Sequence, residues 1–471
     1  MSAEIAYLSA AELAARYRDK SLSPREVLAA VLARLDAFEG QVNAFAFVDR
    51  EGAEADAAAS EARWLRGEPL GPLDGAPATT KDIMYVKGWI TTYGSRVLAL
   101  NEPAAEDSPP VARLREAGAV LLGMTNTPEI GWKGHTDSPA HGITHNPWNL
   151  SRTPGGSSGG AAVAAALGIG VLHVGTDGGG SIRIPASFSG LFGIKASFGR
   201  VPAWPASAFG TLAHTGPITR SVGDAALMLN ALTRPDSRDW QALAPDGIDY
   251  VAAMEGGIRG LKVAFSPTLG YLSVDKDVAG LVRRAAESFA ELGAAVEEVD
   301  PGFPDPRPAR EILWWAGAAY RTRHLSADQR AQLDPGLREV VEDKAAGLTL
   351  TDYMEAMQAR AELGVHMRRF HDRYDLLLTP ATPFAAYLAD HAGVGPATLH
   401  RWSDRPAFTF PFNLTQQPAA SIPCGMTPEG LPAGLQIVGR LYDDVTVMRA
   451  ARAYEAAHPW EMPKEPRGPA G

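Results

Sequence analysis

Two short segments combine serine with densely spaced glycine, a pattern that can support phosphate binding or acyl transfer. Residues 153–160 read TPGGSSGG and residues 176–183 read TDGGGSIR. Such glycines bring backbone amides close to a phosphate or an oxyanion, or they form a tight turn. A Walker loop needs a lysine after its last glycine, and a dinucleotide fingerprint needs a strand directly before its glycines. The sequence SSGGA at 157–161 has no lysine and the loop-like NPWNLSRTP precedes the first glycines, so nucleotide binding is disfavoured.

The second segment has the form of a nucleophile held at the end of a strand. The sequence GVLHVG at 170–175 predicts a strand, and the turn at 176–180 and Ser181 follow it directly. Consecutive amides at Gly178, Gly179 and Gly180 could converge there on an anion. One such segment alone would fit a structural turn. Two of them, joined by an alanine-rich helix and a strand, favour catalysis.

A serine hydroxyl is a poor nucleophile until a base removes its proton. Lys81 is one candidate base, because it lies among apolar and small residues in GPLDGAPATTKDIMYVKG, where burial would leave it neutral near pH 7. His173 lies inside an apolar strand and suits the core better than catalysis. Spacing alone leaves the remaining histidines open as bases. Those candidates are His135, His141, His145 and His214.

The segments that must position these residues alternate between helix and strand patterns. Helix starts are predicted at Ser9 and Ser23, each followed by glutamate at capping-box spacing. Strand candidates other than 170–175 are 119–123, 261–266, 375–380 and 435–439. This alternation predicts an α/β sheet with helices on its faces. The tail after His458 is rich in proline, and we expect it to be poorly ordered.

Composition limits the class of protein and its partners. The chain of 471 residues is 45% hydrophobic and 21% charged, as in globular proteins, and its net charge of −10 argues against nucleic-acid or membrane partners. Cys424 is the single cysteine, so neither an intramolecular disulfide nor a multi-cysteine metal site is expected. The sequence shows no secretory-signal pattern and no apolar run long enough for a bilayer. We expect a soluble cytoplasmic protein.

The longer context of the two segments resembles the amidase signature family of serine hydrolases. The matching sequence is PGGSSGGAAVAAALGIGVLHVGTDGGGSIRIPASFSGLFGIKASFGRVP, and the resemblance resumes at 418–440 with PAASIPCGMTPEGLPAGLQIVGR. It implies one large α/β domain over residues 1–471, with a central twisted mixed β-sheet covered by helices on both faces. The catalytic core would comprise about 70–227 and 375–457. A variable, largely helical region at about 301–373 would cover the substrate.

The same resemblance implies roles for individual residues. Lys81 matches the catalytic lysine, Ser157 the bridging serine on a cis peptide bond after Gly156, and Ser181 the nucleophile. Spacing agrees with the family, because 76 residues separate Lys81 from Ser157 and 24 separate Ser157 from Ser181. No metal or organic cofactor is implied. The implied oxyanion hole consists of the amides of Gly178, Gly179, Gly180 and Ser181, with Gly156, Ser158, Asp177 and Arg183 in support.

The segment at 211–217 and several aromatic residues bear on the substrate. Family members that act as glutamine amidotransferase subunits usually carry SLDQIGP, whereas residues 211–217 here read TLAHTGP, with Ala213 in place of the aspartate. We therefore expect a small-molecule aryl or alkyl amide, anilide or carbamate, with esters also cleaved, and a monomer or homodimer. The alternatives are a non-catalytic binding module, an amidotransferase subunit and, more remotely, a metal hydrolase built on His135, His141 and His145. Expected substrate-binding residues are Ile130, Gly131, Trp132, Trp314 and Trp315, although the tryptophans would fit a core equally well.

Overall fold

A mixed β-sheet of eleven strands crosses the molecule, and two of the predicted site residues, Lys81 and Asp177, lie at the ends of its strands. This computed structural model describes residues 2–390 and 406–468, so part of the expected 375–457 segment lies outside the described residues. A two-stranded hairpin accompanies the large sheet. The strands are β1 Phe45–Val48, β2 Pro77–Lys81, β3 Val120–Thr125, β4 Asp137–Ser138, β5 Gly142–Ile143, β6 Leu172–Asp177, β7 Phe192–Lys195, β8 His214–Thr219, β9 Lys262–Phe265, β10 Ala295–Glu298, β11 Leu376–Pro380, β12 Ala419–Met426 and β13 Pro432–Gly439.

The strand order in the large sheet is β1-β3-β2-β6-β8-β7-β12-β13-β11-β9-β10. Strands β3, β2 and β6 run parallel, as do β11, β9 and β10, while the strands between these two groups pair antiparallel. Because β2 and β6 are parallel neighbours, their carboxyl ends lie at the same edge of the sheet. The predicted α/β class with a mixed sheet is confirmed.

Helices pack around this sheet, and the capping boxes predicted at Ser9 and Ser23 are present. One helix, α6 in the list that follows, is buried along its whole length because it consists mostly of alanine and glycine. The helices are α1 Ser2–Ala6, α2 Ala10–Arg18, α3 Pro24–Val42, α4 Arg50–Arg66, α5 Pro109–Glu116, α6 Gly159–Ala166, α7 Arg183–Ser189, α8 Val222–Leu232, α9 Tyr250–Ala253, α10 Lys276–Glu291, α11 Arg307–Thr322, α12 Ala327–Arg330, α13 Pro335–Glu339, α14 Leu350–Phe370, α15 Pro411–Leu414 and α16 Asp444–Ala457. No helix in the described ranges is long and apolar enough to cross a membrane.

The proline-rich tail differs from expectation. As far as Gly468 it lies against the body of the protein instead of being poorly ordered. Tyr7 donates a hydrogen bond to the carbonyl of Pro463 at 2.6 Å, and the indole of Trp460 donates to the carbonyl of Arg220 at 2.8 Å. Proline removes a donor but keeps its carbonyl, so side chains of the body can hold an extended tail through its acceptors.

Candidate active site

The predicted lysine and serines come together at the edge of the sheet where β2 and β6 end. Lys81 is the last residue of β2, while Thr176 and Asp177 are the last two residues of β6. Ser157 and Ser158 immediately precede α6, which packs against both strands. The parallel pairing of β2 with β6 therefore brings residues nearly a hundred positions apart in the chain into contact.

Lys81 is completely buried and has three hydroxyl neighbours. Its Nζ lies 2.6 Å from Ser157 Oγ, 3.0 Å from Ser158 Oγ and 3.0 Å from Thr176 Oγ1. Burial lowers the pKa of Lys81 to about 7, and the negative charge of Asp177 opposes that shift. A neutral amine has one lone pair and two N–H groups, so these three contacts match one acceptor and two donor positions.

The two neighbouring serines are not equivalent. Ser158 Oγ accepts a hydrogen bond from the Thr176 amide and donates one to the Thr176 carbonyl, each at 3.2 Å. Its proton is therefore committed to the backbone, and it can only accept from Lys81. Ser157 Oγ contacts Lys81 and faces the site cavity described below. Of the two, only Ser157 has a proton free to pass to the lysine.

The backbone joins the two serine segments directly. The Gly156–Ser157 peptide bond is cis, as the family resemblance implied. The amide of Ser158 donates to the carbonyl of Ser181 at 3.1 Å, so the segment that carries Ser157 and the turn that carries Ser181 are adjacent. Gly156 permits close packing of a third segment, because a Cβ at that position would lie 2.7 Å from the backbone of His135.

A buried ion pair fixes the turn before Ser181. Burial alone would raise the pKa of Asp177, but the charge and hydrogen bonds of Arg183 hold it well below its usual range. Arg183 donates to both carboxylate oxygens of Asp177, at 2.9 and 3.0 Å, and Asn413 adds a further donor at 2.8 Å. Gln436 in turn accepts from Arg183 at 2.7 Å. Asp177 and Arg183 thus lie beneath the turn that carries Ser181.

The same carboxylate alters the expected oxyanion hole. The amide of Gly180 donates to Asp177 Oδ1 at 2.7 Å, so it is unavailable to an oxyanion and that part of the sequence prediction is wrong. The carbonyl of Gly179 accepts from Thr409 Oγ1 at 2.7 Å, which fixes the orientation of the Gly179–Gly180 peptide. Within the described ranges, the amides of Gly178, Gly179 and Ser181 have no acceptor. Three candidate donors therefore remain.

We expect Asp177→Asn to lower the free energy of unfolding by about 3 kcal/mol or more, since it leaves the buried Arg183 cation without its counter-charge. Urea denaturation of the two proteins measures the difference. Glu298→Gln is the control, because it breaks the exposed ion pair with Arg283 and should cost less than about 1 kcal/mol. Equal losses in the two variants would contradict this account of the turn.

A cavity of about 600 Å³, called the site cavity here, opens over Ser157 and Ser181. Ile130, Gly131 and Trp314 line it, as predicted for substrate-binding residues. Gly178 makes room for Trp314, because a Cβ at 178 would lie 3.0 Å from the indole ring. A second cavity of about 620 Å³, against α14, contains none of the predicted residues.

The other two tryptophans do not line the site cavity, and that prediction is wrong. Trp132 is 3% exposed, and its ring packs against Gly336 of α13. Trp315 packs against the cluster of buried hydrophobic side chains that contains Trp132. Consecutive residues of a helix point about 100° apart, so Trp314 can face the cavity only if Trp315 faces elsewhere. Trp132 still supports the wall, because its carbonyl accepts from the indole of Trp314 at 3.0 Å.

Gly131 controls the space beside Ser157. A Cβ there would lie 3.1 Å from Ser157 Oγ, and its φ of +71° favours glycine. We expect Gly131→Ala to lower kcat/KM at least about tenfold by displacing the hydroxyl. Gly134→Ala is the matched control, since among the described residues its Cβ would meet only Ile184 Cδ1, at an ordinary 3.7 Å. Unchanged kinetics in Gly131→Ala with an intact fold would contradict this role.

Comparison with known proteins identifies the family. The family model described as Amidase matches residues 26–448. The chain belongs to the amidase family. It is 39% identical over 463 residues, 96% of each chain, to an acylamidase of Rhodococcus erythropolis. It is also 36% identical to a glutamyl-tRNA(Gln) amidotransferase subunit of Myxococcus xanthus, over 96% of this chain and 97% of that one. A bacterial aryl acylamidase crystal structure superposes with a TM-score of 0.89 at 34% identity, covering 96% and 97% of the two chains.

Membership of this family makes the chain an enzyme, an amidase, and it confirms the resemblance seen in the sequence.

The histidines that the sequence offers as candidate bases are held by other contacts in the structure. His173 is a core residue whose Nδ1 lies 2.9 Å from Thr79 Oγ1. His214 lines the site cavity, but its Nδ1 hydrogen-bonds to the carbonyl of Leu212 at 2.8 Å, and burial holds its pKa well below the ordinary value.

The three loop histidines do not form a shared site. His135 contacts Tyr387 and Asp137, His141 contacts Thr92 and Asp82, and His145 bonds to the backbone. Over the described ranges, no group of three or more His, Cys, Asp or Glu residues is placed to hold a metal ion.

Several contributors to the site were not found by sequence reasoning. Thr176 contacts the lysine, and its place in the TDGGGSIR segment was the available signal. Gln436 lies in the second family segment and could have been noticed there. Asn413 and Thr409 gave no signal, because they reach the turn only through packing of the segment at 406–414 against it.

Proposed function

We propose that this amidase hydrolyses small-molecule amide bonds of the aryl or alkyl amide, anilide or carbamate type through an acyl-enzyme on Ser181. The observation that carries the proposal is the contact between Ser157 Oγ and a buried lysine whose pKa is about 7, at the base of a cavity that Ser181 also lines. A lysine with that pKa is about half neutral at pH 7 and can act as a base.

In the proposed mechanism Lys81 accepts the proton of Ser157, which accepts that of Ser181 as Ser181 Oγ attacks the carbonyl carbon. The tetrahedral oxyanion lies near the amides of Gly178, Gly179 and Ser181. Ser157 then protonates the leaving nitrogen as the C–N bond breaks, and Lys81 returns its proton to Ser157. This step releases the amine, leaves an ester on Ser181 and restores the neutral lysine. Water attacks this ester by the same relay, so that the acid is released and Ser181 regains its proton.

Ala213 argues against the amidotransferase alternative, despite the similarity to amidotransferase subunits. It lines the site cavity beside His214, and its methyl group cannot accept a hydrogen bond from the α-ammonium of free glutamine. The relatives named acylamidase and aryl acylamidase support an acyl amide substrate instead.

The test is amine release from an anilide, a primary aliphatic amide, an aryl carbamate and glutamine, with an aryl ester as a further substrate. We expect the anilide, the carbamate and the ester to be cleaved and glutamine to be left intact. Release of ammonia from glutamine alone would favour the amidotransferase alternative. A lack of turnover on every compound, with the ester included, would favour a non-catalytic binding module.

A further inference from the structure

The mouth of the site cavity is rich in arginine, although the chain as a whole carries a net charge of −10. Arg238, Arg321 and Arg323 line it, and among the described residues the wall has a single carboxylate, Asp239. Trp240 and Tyr320 lie beside them with 85% and 58% of their surface exposed. A local cationic cluster on an acidic protein needs a physical account.

Two of these four charges already have partners in the structure. Arg238 donates to both oxygens of Asp236, at 2.9 and 2.7 Å, and to Glu106 at 2.9 Å. The two oxygens of Asp239 accept from the backbone amides of Ala203 and Gln241, each at 2.9 Å. Arg238 is therefore neutralised by its carboxylate partners, whereas Asp239 keeps its negative charge because backbone amides carry no counter-charge. The mouth thus sets two further arginines against one carboxylate.

Arg321 and Arg323 have no carboxylate at ion-pair distance within the described residues. The guanidinium carbon of each lies over an aromatic ring of the cavity wall. Arg321 Cζ lies 4.3 Å from the ring centroid of Tyr93, and Arg323 Cζ lies 3.7 Å from that of Tyr320. Stacking uses the face of a guanidinium and leaves edge N–H groups for a carboxylate. Among contacts between described residues, one of these groups is used, where Arg323 Nη1 donates to the Tyr320 carbonyl at 2.6 Å.

A purely structural role is the competing explanation. Arg321 lies in the last turn of α11 and Arg323 directly follows it, where cations stabilise a helix dipole. Arg16 and Arg18 occupy the last turn of α2 in the same way, but they do not line the site cavity. The helix-dipole role would require no particular substrate charge, so experiment can separate the two explanations.

We propose that the substrates of this enzyme carry a carboxylate remote from the scissile amide bond, and that Arg321 and Arg323 bind this group at the cavity mouth. The proposal rests on the proposed function, because it places the reacting carbonyl at Ser181. The carboxylate then supplies the counter-charge that the two stacked guanidiniums lack. Charge attraction at the mouth would also raise the rate of association at low salt.

Matched 4-nitroanilides test the proposal. Butyryl and succinyl anilides form one pair, and hexanoyl and adipoyl anilides form a second, so that the members of each pair differ in a terminal methyl or carboxylate. In at least one pair we expect kcat/KM to be about tenfold higher for the carboxylate, mainly through KM. This preference should shrink in about 1 M salt, where charges are screened beyond roughly 3 Å.

The double variant Arg321→Gln/Arg323→Gln should lose the charge preference, so that the ratio of kcat/KM within each pair falls close to that expected without an anion site. Arg16→Gln/Arg18→Gln is the matched control, since it removes two arginines from another helix end and should keep the preference. The proposal would be overturned if, in both pairs, kcat/KM for the neutral anilide equalled or exceeded that for the carboxylate. It would also be overturned if the preference for the carboxylate survived in Arg321→Gln/Arg323→Gln.

Calorimetric binding of the same pairs to Ser181→Ala protein distinguishes this proposal from the proposed function. If the carboxylate-bearing anilides bound more tightly but the wild type turned over none of the anilides, the anion site would be supported and the proposed amide hydrolysis rejected. Turnover of the neutral anilides with no binding or kinetic preference for charge would retain the hydrolase and reject the anion site.

Discussion

Ser181→Ala is expected to lower kcat/KM for anilide hydrolysis by at least about 10⁴-fold, because it removes the only atom proposed to bond to the acyl group. Alanine leaves the Ser181 carbonyl and amide in place, so the hydrogen bond from the Ser158 amide and the candidate oxyanion donors remain. Steady-state kinetics measure the loss. Mass spectrometry after reaction with a slowly deacylating carbamate should show an adduct on the wild type alone.

Ser189→Ala is the matched control for this experiment. Ser189 is a fully buried serine at the end of α7, eight residues along the chain, and its hydroxyl has no hydrogen-bond partner in the described part of the protein. We expect activity within about twofold of the wild type, since the substitution breaks no hydrogen bond and removes no residue of the site. If Ser181→Ala retained wild-type rates, the nucleophile assignment would be wrong and the histidines would need renewed attention.

Activity is expected to depend on the deprotonation of Lys81. With a pKa of about 7, the lysine is protonated below that pH and cannot accept a proton from Ser157. The value of kcat/KM should therefore fall about tenfold for each pH unit below about 7 and level off above it. A pH–rate profile, with the fold checked by circular dichroism at each pH, measures this dependence. A flat profile between pH 5 and 8 would contradict the role of Lys81.

Lys81→Met removes the base while keeping a long apolar side chain, and we expect a loss of at least about 10³-fold in kcat. Lys87→Met is the control, because Lys87 is an exposed lysine on the same segment and its loss should leave the rate near that of the wild type. Similar losses in both variants would show that the effect is not specific to the buried amine.

The same lysine should leave a signature in stability. Its pKa is about 7 in the folded protein, against an ordinary value of 10.5, so between these pH values the unfolded chain binds one more proton. Stability therefore rises with pH across that window, and the cost of burying Lys81 is largest at and below pH 7. From pH 7 to pH 10, we expect the wild type to gain about 3.5 kcal/mol relative to Lys81→Met in urea denaturation.

Much of the site could be predicted from sequence because its parts are local. A serine at a strand end followed by a helix, and glycines that allow close backbone approach, are properties of short segments. Gly180 shows why, since its φ of +131° is a local backbone conformation that favours glycine. Burial of Lys81 was likewise signalled by its apolar and small neighbours.

What the sequence determined by itself was therefore the α/β class and the family, and it also supplied the lysine and serines that we propose for the chemistry. Only the tertiary structure decided that Ser157, and not Ser158, has a free proton, and that Asp177 removes Gly180 from the oxyanion donors. It also decided that Trp314 faces the cavity while Trp315 does not. The physical reason is that hydrogen-bond commitment and side-chain direction depend on partners distant in the chain, which a local pattern of residue types does not specify.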